Sequence, residues 1–128
     1  MRKILSALTL AVALPLAGCH VTASTPSTPP AGAIDAVDGT ASVTLRTLHA
    51  AVLSIDTDVM AGRIQLTASQ LSALNTANRY LNAADRAEIT YHMTPTSANG
   101  STLSNAVAAA NSGFASLQTS LAASLKPQ

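Results

Sequence analysis

Tryptophan is absent from this 128-residue sequence, cysteine occurs once, at Cys19, and lysine occurs only at Lys3 and Lys126. A single cysteine excludes an internal disulfide, and no Cys/His cluster has the spacing of a structural zinc site. Only Tyr80, Tyr91 and Phe114 are aromatic, too few for the stacking platforms that bind single-stranded nucleic acid. Charged residues make up 10% of the chain and the formal net charge is +1, so no clustered basic surface is available for nucleic acid. No Gly-x-Ser-x-Gly, Ser-x-x-Lys or glycine-rich phosphate loop occurs, and the lysine-free interval removes lysine-based catalysis from the middle of the chain. The expectation is a protein that is not an enzyme, with no catalytic residue, no cofactor and no metal ligand.

The residues that imitate chemistry have plainer readings. His20, His49 and His92 share no i, i+4 helical face of the kind a metal pair occupies. In an antiparallel helix pair folded about residues 63 to 67, His49 falls opposite position 80 and far from His92. Asp56-Thr57-Asp58 has the form of the Asp-x-Asp motif of sugar transferases but lies inside a helical pattern. Asp85 and Glu88, three apart beside Arg86, read as a local capping arrangement rather than an acid/base pair.

The N-terminal residues are an address. Arg2 and Lys3 form a positive n-region, and Ile4 to Leu14 form an apolar run interrupted only by Ser6 and Thr9. Pro15 and a set of small residues follow, which is the layout of a bacterial secretory signal. The apolar run is shorter than the roughly 20 residues that span a bilayer. Leu16-Ala17-Gly18-Cys19 resembles the lipobox of bacterial lipoproteins, a resemblance confined to residues 1–19. It implies that Leu16, Ala17 and Gly18 are recognised by a dedicated signal peptidase and that Cys19 takes the lipid through its thiol. Residues 1–18 are then the signal peptide, and palmitate-type acyl chains at Cys19 are the membrane anchor. The alternative is an ordinary signal cut before Ser24 after Val21-Thr22-Ala23, which discards Cys19. In the family's sorting rule an aspartate after the cysteine retains the protein at the inner membrane. His20 in that place implies the outer membrane, with the domain facing the periplasm.

Cleavage before Cys19 removes both n-region charges and leaves five basic residues against six acidic ones. Nothing in this balance suggests electrostatic capture of a partner. Residues 19–34 read as the lipidated cysteine followed by a Pro-, Ser- and Thr-rich tether, disordered and locally extended, able to hold a domain up to roughly 40 Å from the membrane.

Residues 35–126 carry a helical period. Ala41, Leu45, Leu48, Val52, Ile55 and Val59 alternate steps of four and three, with Asp35 and Asp38 at the start of the segment and Gly62 as its stop. Thr67-Ala68-Ser69-Gln70 is a capping box flanked by a Leu66/Leu71 staple, followed by a seam of Leu71, Leu74, Ala77, Leu81 and Ala84. A kink or a restart is expected near Asn82 to Asp85. Residues 94 to 101, with Asn99-Gly100 as turn signal, are expected as a loop. Leu103, Val107, Ala110, Phe114, Leu117 and Leu121 form the third seam, in which Gly113 admits a close helix neighbour. The pattern predicts an all-α fold, a small antiparallel three-helix bundle, or a homo-oligomeric coiled coil if the seams pair between chains. The function that fits is a lipid-anchored periplasmic lipoprotein with an accessory, envelope-structural or protein-binding role. A phage-type lipoprotein acting in lysis or superinfection exclusion, and a small-ligand or metal-binding module, are the other readings.

Overall fold

The structure, a computed structural model, describes residues 28–123. Cys19 and Leu16, Ala17 and Gly18 lie outside the described residues, as do Lys126 and the rest of the C-terminal tail. Three helices make up the domain: α1 (Ala36–Met60), α2 (Ala68–Met93) and α3 (Ser97–Ala123), and the described residues contain no strand. This is the expected all-α three-helix bundle. Its direction is visible in the pairings. On α1 and α2, Asp38 meets His92 and His49 meets Asp85; on α2 and α3, Gln70 meets Ser120 and Tyr91 lies over Gly100. As one member of each pair advances along the chain, the other retreats, so consecutive helices are antiparallel.

The ends of the helices follow from local chemistry. Asp35 caps α1, its Oδ1 accepting from the backbone N–H groups of Val37 (2.9 Å) and Asp38 (2.8 Å). Gly62, at φ 67°, closes α1 in a Schellman motif: Gly62 N–H donates to Val59 O and Arg63 N–H to Asp58 O. The capping box of α2 is formed as the sequence predicts. Thr67 Oγ1 accepts from Gln70 N–H, and Thr67 N–H donates to Gln70 Oε1 at 2.8 Å. Gln70 is also buried and donates from Nε2 to Ser120 O, so the cap ties α2 to the end of α3.

Three local expectations are corrected. Leu71 is 48% exposed, and Gln70 takes the inward position; strict alternation of four and three back from Leu74 lands on 70, a position an apolar-only search passes over. α2 does not restart at Asn82 to Asp85: it runs as one uninterrupted helix through the segment, which has no Gly or Pro, and the Asp85 carboxylate is engaged by His49 instead of capping a new helix. Asn99-Gly100 is not a turn but part of the first turn of α3. Thr96 Oγ1 accepts from Asn99 N–H, and Asn99 Nδ2 donates back to Thr94 O at the end of α2. The link between α2 and α3 thereby shrinks to residues 94–96.

The seams turn inward as expected. Leu45, Leu48, Val52 and Ile55 of α1 pack with Leu74, Ala77, Leu81 and Ala84 of α2 and with Ala110, Phe114 and Leu117 of α3. A smaller cluster of Ala41, Ala87, Tyr91 and Leu103 sits towards the start of α1. These seams are satisfied within one chain. The core is rich in alanine, so the helices must approach closely, and α2 and α3 share the most extensive contact. Gly113 has the tightest surroundings of the described glycines: a Cβ there would lie 2.7 Å from Tyr80 Cδ2 and 3.5 Å from Ala77 Cα. Gly113→Leu should therefore lower the unfolding free energy by about 1–3 kcal/mol through overpacking. Urea denaturation followed by circular dichroism measures it, and a Tyr80→Ser background, which clears the ring, should recover part of the loss.

Candidate functional site

The titratable side chains of the described domain are not spread evenly. The start of α1, the end of α2 and the start of α3 share one end of the bundle, here termed the near end, and Asp35, Asp38, Tyr91 and His92 gather there. Asp35 divides its carboxylate: Oδ1 caps α1, and Oδ2 accepts the hydroxyl of Tyr91 at 2.5 Å. Tyr91 is buried, and this acceptor satisfies its hydroxyl. Asp38, one turn into α1, is buried as well, and its Oδ2 lies 2.7 Å from Nδ1 of half-exposed His92. A second histidine–carboxylate pair stands farther along the same two helices, where His49 Nε2 lies 3.0 and 2.9 Å from the two oxygens of Asp85. That pair is solvent-exposed.

His49 thus reaches one helical turn beyond the position 80 expected opposite it. The Cα–Cβ bonds of a helix tilt towards its own N-terminus, so side chains on antiparallel helices lean towards each other and meet across a turn's offset. His92 has its own partner at the near end, and the two histidines do not converge. Among the described residues no group of three or more His, Cys, Asp or Glu side chains is arranged to hold a metal ion. The His49 and His92 rings bond carboxylates on the neighbouring helix, and among the described residues neither hydrogen-bonds a hydroxyl of the kind a Ser–His–Asp arrangement uses. Asp58, the second carboxylate of the Asp-x-Asp segment, accepts from Arg63 Nε at 2.7 Å and braces the α1–α2 link.

The segment leading into α1 closes the site. Ala33 N–H donates to Pro30 O across a turn whose third residue, Gly32, has φ 78°, a conformation that favours glycine. The free N–H of Gly32 then donates to His92 O at 2.8 Å, satisfying one of the carbonyls that the end of α2 leaves unpaired. The last residues of the expected tether are therefore fastened to the near end. Beside this turn lies an open cleft of about 620 Å³, bordered by Pro29, Asp35, Tyr91 and Asn105.

Sequence reasoning placed Asp35 and Asp38 at the start of α1 and His92 near the end of α2 without joining them. Antiparallel packing alone brings those two termini together, and that was the available signal. No family model, curated protein or solved structure matches the chain.

The electrostatics of the Asp35–Tyr91 pair have definite signs. Burial pulls the Asp35 pKa upward, but hydrogen bonds from Asp38 N–H, the Tyr91 hydroxyl and Val37 N–H outweigh it and hold the carboxyl below its ordinary value. The same bond to Asp35, with burial and the negative charges of Asp35 and Asp38, pushes Tyr91 up to about 12. Asp35 thus stabilises the fold above the usual carboxylate range, and its contribution is lost as pH falls through its lowered pKa. The contribution of Tyr91 is complete below pH 10 and is lost as pH rises towards about 12. Urea midpoints measured across this alkaline window should fall for the wild type, and the part of the fall due to Tyr91 should vanish in Tyr91→Phe.

The two histidine pairs should differ in weight. His92→Ala leaves the buried Asp38 carboxylate without its partner and should cost about 1–3 kcal/mol. His49→Ala breaks an exposed pair and should cost about 0–1 kcal/mol. Urea denaturation of both variants near pH 6 checks the order; equal losses would contradict it.

Proposed function

We propose that the chain is a lipid-anchored bacterial lipoprotein of the cell envelope, held at the outer membrane with its helical domain in the periplasm, in a non-catalytic accessory, structural or protein-binding role. The observation that carries this reading is Leu16-Ala17-Gly18-Cys19 at the end of a short apolar run, with the required cysteine as the only one in the chain. Several acyl chains at Cys19 provide a stable anchor, each buried methylene contributing about 0.8 kcal/mol. No described helix is long and apolar enough to cross a membrane. The domain supports a non-catalytic role through how its polar groups are used: the His–Asp pairs and the Tyr–Asp bond link helices.

The test is the intact mass of the protein from the membrane fraction, wild type beside Cys19→Ala. The expected wild-type chain begins at Cys19 and carries added acyl mass, while the variant stays unprocessed or leaves the membrane fraction. A wild-type chain that begins at Ser24 without lipid would overturn the reading.

A further inference from the structure

We infer that the near end of the bundle carries a bilayer-facing surface, formed by Ile34, Ile89 and Met93, that rests on the phospholipid interface of the membrane holding the anchor. The inference rests on the lipoprotein reading and adds to it an orientation. Ile34 is 77% exposed, Ile89 64% and Met93 65%, and the three border one shallow hollow of about 250 Å³. Ile89 and Met93 are one turn apart on α2, and Ile34 belongs to the segment that Gly32 fastens to the end of that helix. The polar groups bordering the hollow are Ser42, Glu88 and the Asp38–His92 pair, with no lysine or arginine. That composition fits apolar insertion among lipids and gives anionic headgroups nothing to bind.

The position of the anchor selects the occupant. Between Cys19 and Thr28, the first described residue, lie nine chain steps, which reach at most about 30 Å even when fully extended. The chain enters the domain beside Ile34, so the end presented to the membrane is the end that carries this surface. Docking is then an intramolecular event at high effective concentration, for which a small apolar patch suffices.

Two methionines make the inference measurable. Met93 belongs to the surface, and Met60, 79% exposed, lies at the opposite end beside the α1–α2 link. The protein is isolated from the membrane fraction, its intact mass recorded, and reconstituted into phosphatidylethanolamine–phosphatidylcholine vesicles. If Cys19 is present without acyl groups, its thiol is coupled to a maleimide phospholipid in those vesicles. Dilute peroxide is then applied, and sulfoxide at each methionine is followed by peptide mass spectrometry, with the Cys19→Ala chain lacking residues 1–18, free in buffer, as reference. The expected result is a several-fold slowing of Met93 oxidation in vesicles, with Met60 unchanged. Ile34→Ser combined with Ile89→Ser, both at exposed positions, should leave the helical circular dichroism intact and return Met93 to the free rate. Equal oxidation of Met93 in both states on an acylated chain overturns this inference and leaves the lipoprotein reading standing. Protection seen on an unacylated, chemically anchored chain supports the surface while the lipoprotein reading fails. A chain that has lost Cys19 overturns both. Protection in native envelopes but not in pure lipid assigns the surface to a protein partner and overturns the lipid as occupant.

Discussion

Both glycines inside α3 lie against tyrosines of α2. A Cβ at Gly113 would meet the Tyr80 ring at 2.7 Å, and one at Gly100 would meet the Tyr91 ring at 3.2 Å. The fold depends on this close approach. Where the seams carry alanine, as at Ala77, Ala84, Ala87 and Ala110, they bury little area per residue, and the transfer free energy scales with area. Helices held at leucine-lined distances would leave voids between alanines, with the loss of dispersion contacts that voids entail. Removing the side chain at two points of α3 lets the backbones draw in; the buried Tyr91 ring supplies bulk that alanine lacks, and the part-exposed Tyr80 ring covers Gly113 from the surface. Each glycine costs helix propensity, about 1 kcal/mol relative to alanine, and the packing it permits offsets that cost.

α1 is held differently. It contributes Leu45, Leu48, Val52 and Ile55 to the core, but much of its link to α2 is polar: Asp35 with Tyr91, Asp38 with His92, His49 with Asp85. These bonds are directional and fix the longitudinal register of α1, which a smooth apolar seam specifies weakly. Two of them join the helix termini at the near end, where Asp35 also caps α1 and Gly32 caps α2. The start of the domain is thus cross-braced just where a pull from the N-terminal chain would be felt first. Arg63 with Asp58 and the Schellman turn at Gly62 brace the opposite end of α1.

Most of this architecture was legible in the sequence. The alternating steps of α1 and α3 located their buried faces, and Thr67 with Gln70 located the start of α2, because heptad spacing and capping chemistry are local. Gly62 was legible as a stop for the same reason. What failed was local chemistry overridden by a neighbour. Asn99-Gly100 has turn composition, yet the glycine serves packing under Tyr91 and the asparagine caps a carbonyl of the preceding helix. Asp85 has capping composition, yet His49 engages it. Leu71 was placed in the core by its apolarity, while Gln70 goes inward because Ser120 of α3 accepts its amide. Antiparallel packing puts the start of α1 beside the end of α2, but the individual cross-helix polar pairs of the candidate site are not legible from that alone. Each depends on the offset between two helices, and an apolar seam sets that offset only to within a turn.

The energetic balance at the near end explains why an anchor and a small apolar surface suit each other. Burying one Ile or Met side chain fully contributes about 1.5–3 kcal/mol, and shallow insertion realises only part of that. A free domain binding a membrane through three such side chains would surrender most of the gain to lost translational and rotational freedom, which costs at least about 4 kcal/mol. Acylation at Cys19 would meet that cost once, through the lipid, leaving the remaining apolar contact to set orientation. The same arithmetic keeps such a surface harmless before anchoring. Ile34, Ile89 and Met93 are too few to drive association on their own, and the bordering Glu88 disfavours face-to-face pairing of two copies by bringing like charges together. A lipid-anchored protein can therefore display an apolar edge that is silent in solution and effective only within a tether's length of the bilayer.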